Sequence, residues 1–248
     1  MKPLEMIAEA SIKAEKLRVQ TQVRQSHLSI NGRPDKLTDE LLERIEDLEK
    51  WVDKRMSELI IGHPAYPWFS KVKGIGKENI GKVVGQIDIE KCNTISALWK
   101  FCGYSVENGK AQKRKAGEKL DYNSNLRSMC YRLGTSLMRT KGVFYEYYCN
   151  EKDKYQQRYK NQGFKIVPAA SLPRTNGKRY EQEGLISEGH LHNMALRKMI
   201  KLFLSCLWLV WRQMEGLPIR EPYPIDKLGH NGKIDPWEMI DRQEKEVA

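Results

Sequence analysis

The chain has 248 residues, of which 40% are hydrophobic and 30% charged. That length suits one large or two small domains, and that composition excludes a disordered chain. With 43 Lys and Arg against 32 Asp and Glu, the formal net charge is +11, which points to a polyanionic partner and says nothing about fold.

Residues 1–26 read as a weakly patterned helix. SINGRPD, 29–35, breaks it with Asn-Gly and Pro. Thr38 is then placed to cap a second helix whose first turn carries Asp39 and Glu40. Leu41, Ile45, Leu48, Val52, Met56 and Leu59 recur at three and four residues, one stripe along roughly five turns. This predicts a long, coiled-coil-like helix over 38–60. It either drives homo-oligomer formation or packs on its own domain. Its carboxylates, Asp39, Glu40, Glu43, Glu46, Asp47 and Glu49, are expected on a solvated face.

GHPAYPWF, 62–69, cannot continue that helix. Charge changes here too. Residues 1–62 carry 11 basic and 12 acidic side chains, and residues 63–149 carry 15 and 7. Both signals place a boundary near 62. The expected organisation is an N-terminal helical region (1–62), a helical middle domain (63–215) and a proline-rich, extended tail with at most one short helix (216–248).

VKGIGKENIGKVVGQI, 72–87, opens the middle domain. Phe69 and Val72 fit a short first helix. Gly74-Ile75-Gly76 fits a tight turn, and Ile80, Val83, Val84 and Ile87 fit a second helix. This is the pattern of a helix-hairpin-helix. Both glycines are expected to adopt dihedrals closed to other residues, and Ile75 to pin the hairpin from inside. Bare N–H groups at the start of the second helix would seat a phosphate, with Lys73, Lys77 and Lys82 around it. Such contacts read the nucleic-acid backbone and not its sequence. A simple packed hairpin is the competing reading. No GK[ST] follows, so the stretch is not a P-loop.

Further on, a short helix is expected at 94–104, a turn at Asn108-Gly109 and a polar, basic loop at 110–119. Lys110, Lys113, Arg114, Lys115 and Lys119 in that loop, with Arg127 beyond it, complete the predicted nucleic-acid contacts. Helices follow at 123–140, at 142–161 (rich in tyrosine) and at 190–214. Residues 163–189 read as a long loop or insertion. Phe144, Tyr145, Tyr147, Tyr148, Tyr155 and Tyr159 could stack on bases, but packing between helices is the preferred reading. His190 and His192 would lie about 200° apart on a helix, which disfavours a shared metal. Asp88 and Glu90 are two carboxylates without an organised set. The expected fold is mostly α, with no metal and no cofactor.

Five cysteines (92, 102, 130, 149 and 206) form no CxxC pair and suggest neither a disulfide framework nor a zinc site. The N-terminus MKPLEMIAEA has no apolar signal segment. The longest apolar run, LFLSCLWLVW at 202–211, is too short to span a bilayer. A cytoplasmic protein without a membrane partner is expected.

Residues 66–140 resemble the C-terminal domain of transposases that pair a RuvC-like nuclease half with a serine-bearing half, a family that includes bridge-RNA-guided recombinases. The resemblance rests on an ordered series: VKGIGKENIGKVVGQIDIE, then ALWKFCGYSV at 97–106, then a turn followed by a basic loop, then Asn123-Ser124-Asn125-Leu126-Arg127. The preceding long helix fits as well. It implies DNA as partner and mobile-element origin. Two departures bear on activity. Where the family carries its nucleophilic serine, this chain has Asn108, which lacks a hydroxyl, and Ser105 lies three residues earlier. The 37 residues before the long helix are too few for the metal-binding nuclease half. The expected function is therefore DNA binding without recombinase chemistry. The alternatives are an RNA-binding or ribonucleoprotein subunit, a structural assembly protein, and a recombinase that works with a separate nuclease subunit.

Overall fold

The computed structural model describes residues 2–107, 109–112, 117–219 and 234–241. The fold is mostly α. Helix α1 (Pro3–Ile30) and helix α2 (Lys36–Leu59) form an antiparallel hairpin around the Asn-Gly break. The cap of α2 differs from expectation. Asp35 accepts from the Leu37 N–H at 3.3 Å and from the Thr38 hydroxyl at 2.6 Å, so Thr38 is a buried first-turn residue. A carboxylate at that position also suits the helix dipole.

The apolar stripe of α2 splits in two. Leu42, Ile45, Val52 and Met56 are buried, and Val52 and Met56 pack with Ile7, Ala8 and Ala14 of α1. Leu41, Leu48 and Leu59 are exposed, as is Trp51. The stripe is broader than one partner helix can cover. The intramolecular reading accounts for its inner half, and any self-association would have to use the outer row. The acidic face is not wholly solvated. Glu49 pairs with Arg18, and Gln22 donates to Glu46 at 3.4 Å.

A 3-10 turn at Ile60–Gly62 leads into the middle of the chain. There follow α3 (Tyr66–Phe69), α4 (Lys77–Val84), α5 (Ile95–Phe101), α6 (Ser124–Thr140), α7 (Val143–Asn161) and α8 (Glu188–Met214). Thr94, Asn123 and Ser187 each cap the following helix through a side-chain oxygen. Helix α8 is the spine of the core: Leu196, Met199, Ile200, Phe203, Leu204, Leu207, Trp208 and Trp211 are all buried. Each such side chain contributes roughly 1.5–3 kcal/mol through burial. The tyrosine-rich helix α7 packs on α8. Phe144 meets Phe203 edge-on, and the Tyr148 hydroxyl lies 2.7 Å from His192 Nδ1. His190 instead pairs with Glu181, so the two histidines serve separate contacts. The cysteines are free, and all but Cys149 are buried.

Two segments depart from the sequence reading. Residues 163–189 hold strands β3 (Lys165–Val167), β4 (Arg174–Thr175), β5 (Lys178–Arg179) and β6 (Leu185–Ser187), numbered after a short pair at β1 (Val106–Glu107) and β2 (Lys110–Ala111). β3 pairs with β6 in parallel, and β4 with β5 as an antiparallel hairpin. Strands of two or three residues leave almost no period-2 pattern to read. The tail holds a short helix, as the sequence allowed, but it is not a free extension. Residues 234–241 return to the core with a 3-10 turn at Pro236–Glu238. The buried Trp68 indole donates to the Pro236 carbonyl at 2.7 Å, and Met239 is buried.

The expected boundary near residue 62 is bridged by close packing. A Cβ on Gly81 would lie 2.6 Å from the Met56 side chain, and one on Gly85 2.4 Å from the Ala8 Cβ. These two glycines let α4 dock against both helices of the hairpin.

Candidate nucleic-acid interface

The Gly74 turn is a rigid object. Gly74 has φ +95°, which side-chain-bearing residues rarely adopt, and a Cβ there would sit 2.4 Å from Thr140 Oγ1. Ser136 Oγ donates to the Gly74 carbonyl at 2.7 Å, and Thr140 Oγ1 to the Lys73 carbonyl at 3.2 Å. From the tail, the Asp241 carboxylate accepts from the Lys73 N–H and the Val143 N–H, both at 2.8 Å. Helix α6 and the tail therefore hold the turn from two sides.

Gly76 corrects the expectation that both glycines are conformationally special. Its φ of −84° and ψ of 143° are ordinary extended backbone. What distinguishes it is space. No atom lies within 4 Å of where its Cβ would be, and no side chain caps α4. The first N–H of this region to meet a helical carbonyl is that of Ile80, bonded to Gly76 O at 3.0 Å. The N–H groups of Lys77, Glu78 and Asn79 thus open ahead of the helix. Lys73 and Lys77 are exposed beside them, with Glu78 in the same turn. Ile75 is half-buried against the core, as its pinning role requires.

Lys82 is a second correction, because it is not at the surface. It is buried and pairs with Glu15 at 2.9 Å and Asp53 at 3.8 Å. Burial alone would raise the Glu15 pKa, but Lys82 and then Arg132, at 2.5 Å, hold it below its ordinary value. Lys82 ties α4 to the hairpin and has no free charge to offer a phosphate.

Arg127 stands apart from the turn. It donates to the Gln112 carbonyl at 3.0 Å and lies over the Tyr122 ring at 5.1 Å. Lys119 is exposed. Asn108, Lys113, Arg114 and Lys115 lie outside the described residues, as does the side chain of Lys110. Asp88 pairs with Lys91 at 2.9 Å, an ordinary surface contact.

Sequence reasoning missed two cations on α8. Lys201 Nζ lies 3.8 Å from the centre of the Trp99 ring, and the Arg197 guanidinium 5.3 Å from that of Tyr104. Burial, then Arg197 and Lys198, push the Lys201 pKa down to about 8. Burial and Arg127 also lower that of Arg197. Their sequence context, an apolar helix, hides them. Only the ring partners on other elements reveal the grouping.

Comparisons of the chain with family models, with curated proteins and with solved structures returned no match. No helix among the described residues is long and apolar enough to cross a membrane.

Proposed function

We infer that the chain binds nucleic acid through its sugar-phosphate backbone, with DNA the favoured partner and RNA the alternative. The observation that carries this reading is the open, uncapped N-terminus of α4, set beside exposed Lys73 and Lys77 on a rigid turn. Backbone N–H groups and the positive helix end favour an anion at that point. The surplus of cations in residues 63–149 supplies sequence-independent attraction. The resemblance to the serine-bearing transposase half is consistent with this reading. With Asn108 at the nucleophile position, the chain is expected to leave DNA intact in Mg²⁺, without nicking or joining, as read on denaturing gels.

Gly76→Val is the direct test. The backbone there accepts a β-branched residue, and the new side chain would fill the space ahead of the N–H groups. We expect unchanged folding by circular dichroism and weaker binding by fluorescence anisotropy. Lys77→Ala should weaken binding to all sequences alike and reduce the salt slope by about one unit or less. Unchanged affinity and slope in folded Gly76→Val would make the turn a packing device only. Competition among duplex DNA, single-stranded DNA and structured RNA at fixed salt separates the two partners.

A further inference from the structure

Arg127, Arg197 and Lys201 are brought together from α6 and α8 without a balancing acid among the described residues. Among the described residues, no carboxylate pairs with Arg197 or Lys201. Two described acids on neighbouring elements are committed elsewhere: Glu151 to Lys154 and Lys198, and Asp121 to the Gln112 amide at 3.0 Å. Among the described residues the Arg197 guanidinium has no hydrogen-bond acceptor, and its Nη2 is buried without a partner. Next to Tyr104 in the chain, the Ser105 hydroxyl is buried and unpartnered as well.

This arrangement costs stability. A half-buried cation without a counter-charge loses hydration and gains no ion pair. Arg197 and Lys201, one turn apart on α8, also repel each other. Packing alone would favour apolar side chains at both positions. Instead, each head group is held on an aromatic face: Lys201 on Trp99, Arg197 on Tyr104, Arg127 on Tyr122. The frame behind them is fixed. The Trp99 indole donates to the Lys201 carbonyl at 3.1 Å. The Ser105 N–H donates to Gln112 Oε1 at 3.2 Å, and Arg127 donates to the Gln112 carbonyl. The result is a preformed set of cations in which Arg197 and Lys201 have no anionic partner among the described residues.

We propose that Arg127, Arg197 and Lys201, with the Ser105 hydroxyl, form a site for a phosphate group. A phosphate offers several acceptor oxygens and up to two charges, which suits two guanidinium forks and an ammonium better than a single carboxylate does. The group belongs either to a nucleic-acid strand, in which case the site extends the interface proposed above, or to a free phosphate compound. Only the strand source rests on that reading.

The test uses the whole chain, with pyrophosphate as the small probe and a labelled oligonucleotide as the strand. Pyrophosphate should raise the melting temperature of the unaltered protein in a concentration-dependent way. Arg197→Met and Lys201→Met should each weaken pyrophosphate binding by at least about tenfold in calorimetry. Gly76→Val should leave it unchanged, which separates this site from the α4 seat. Arg197→Met should melt at or above the temperature of the unaltered protein, because a costly unpaired charge has been removed. A strand phosphate is indicated if the oligonucleotide competes with pyrophosphate and loses affinity in the same variants. A free phosphate compound is indicated if oligonucleotide binding is untouched. The proposal is overturned if pyrophosphate leaves the melting temperature of the unaltered protein flat, or if folded Arg197→Met binds pyrophosphate as before. A marked fall in the melting temperature of Arg197→Met would likewise overturn it, since the arginine would then be structural.

Discussion

Lys82→Met should destabilise the protein by about 3–5 kcal/mol, read as a shift of the urea midpoint at unchanged slope. The side chain is 5% exposed and faces Glu15 and Asp53, which are 17% and 16% exposed. Removing the ammonium leaves two largely buried carboxylates without their counter-charge. Among the described residues, Asp53 keeps the Ser11 hydroxyl, and Glu15 keeps Arg132. Adding Glu15→Gln to Lys82→Met should recover part of the loss, because one stranded charge is then neutralised. A loss below about 1 kcal/mol, typical of an exposed pair, would show that the hairpin is held by its close packing on Gly81 and Gly85 and by the Glu15–Arg132 pair, without need of Lys82.

Acid should weaken the fold through His63. The ring is buried against Phe69 and Trp211, with the Trp211 centroid 4.3 Å away. Its Nδ1 accepts from the Ala65 N–H at 3.1 Å, and its Nε2 has no partner. Burial, with a smaller contribution from Lys2, drives its pKa from 6.5 down to about 4. Between those values the unfolded chain holds a proton that the folded chain refuses. Stability is therefore full above pH 6.5, declines as the pH falls, and has lost this contribution by about pH 4. The integrated loss is on the order of 3 kcal/mol. His63→Asn keeps an acceptor for Ala65 and cannot titrate. It should lower stability at neutral pH by leaving a small cavity, and it should flatten the decline between pH 6.5 and 4. An equally steep decline in that variant would assign the acid sensitivity to the carboxylates instead.

The helices were legible because their signals are local. Asn-Gly-Arg-Pro ends α1, apolar spacing marks α2, and Thr94 and Asn123 sit at the starts of α5 and α6. Even so, the cap of α2 was placed one turn late, because Asp35 and Thr38 are both good caps and share a hydrogen bond. The glycine turn was legible as a turn, but the roles of its glycines were not separable. Gly74 is special because of its φ and its approach to Thr140, and Gly76 because of empty space.

Distant partners were not legible at all. Lys82 reads as a surface lysine within KENIGK, yet its acid lies 67 positions earlier. Lys201 reads as a polar interruption of an apolar helix, yet its ring lies 102 positions away. The chemistry of these side chains is decided by which elements meet, and no window of sequence contains that information.

The return of residues 234–241 to the glycine turn bears on the order in which the chain is made. The Trp68 indole and the Lys73 N–H both wait 168 positions for their acceptors, Pro236 and Asp241. At about 5–20 residues per second, that is on the order of 10 s of translation, with the exit tunnel still to clear. During that interval a nascent chain can form its hairpin and most of its helices, while the turn that positions Lys73 and Gly76 lacks half of its supports. The turn ahead of α4 therefore sets only after Asp241 has been made. It should become competent for its ligand only once residues 234–241 have emerged.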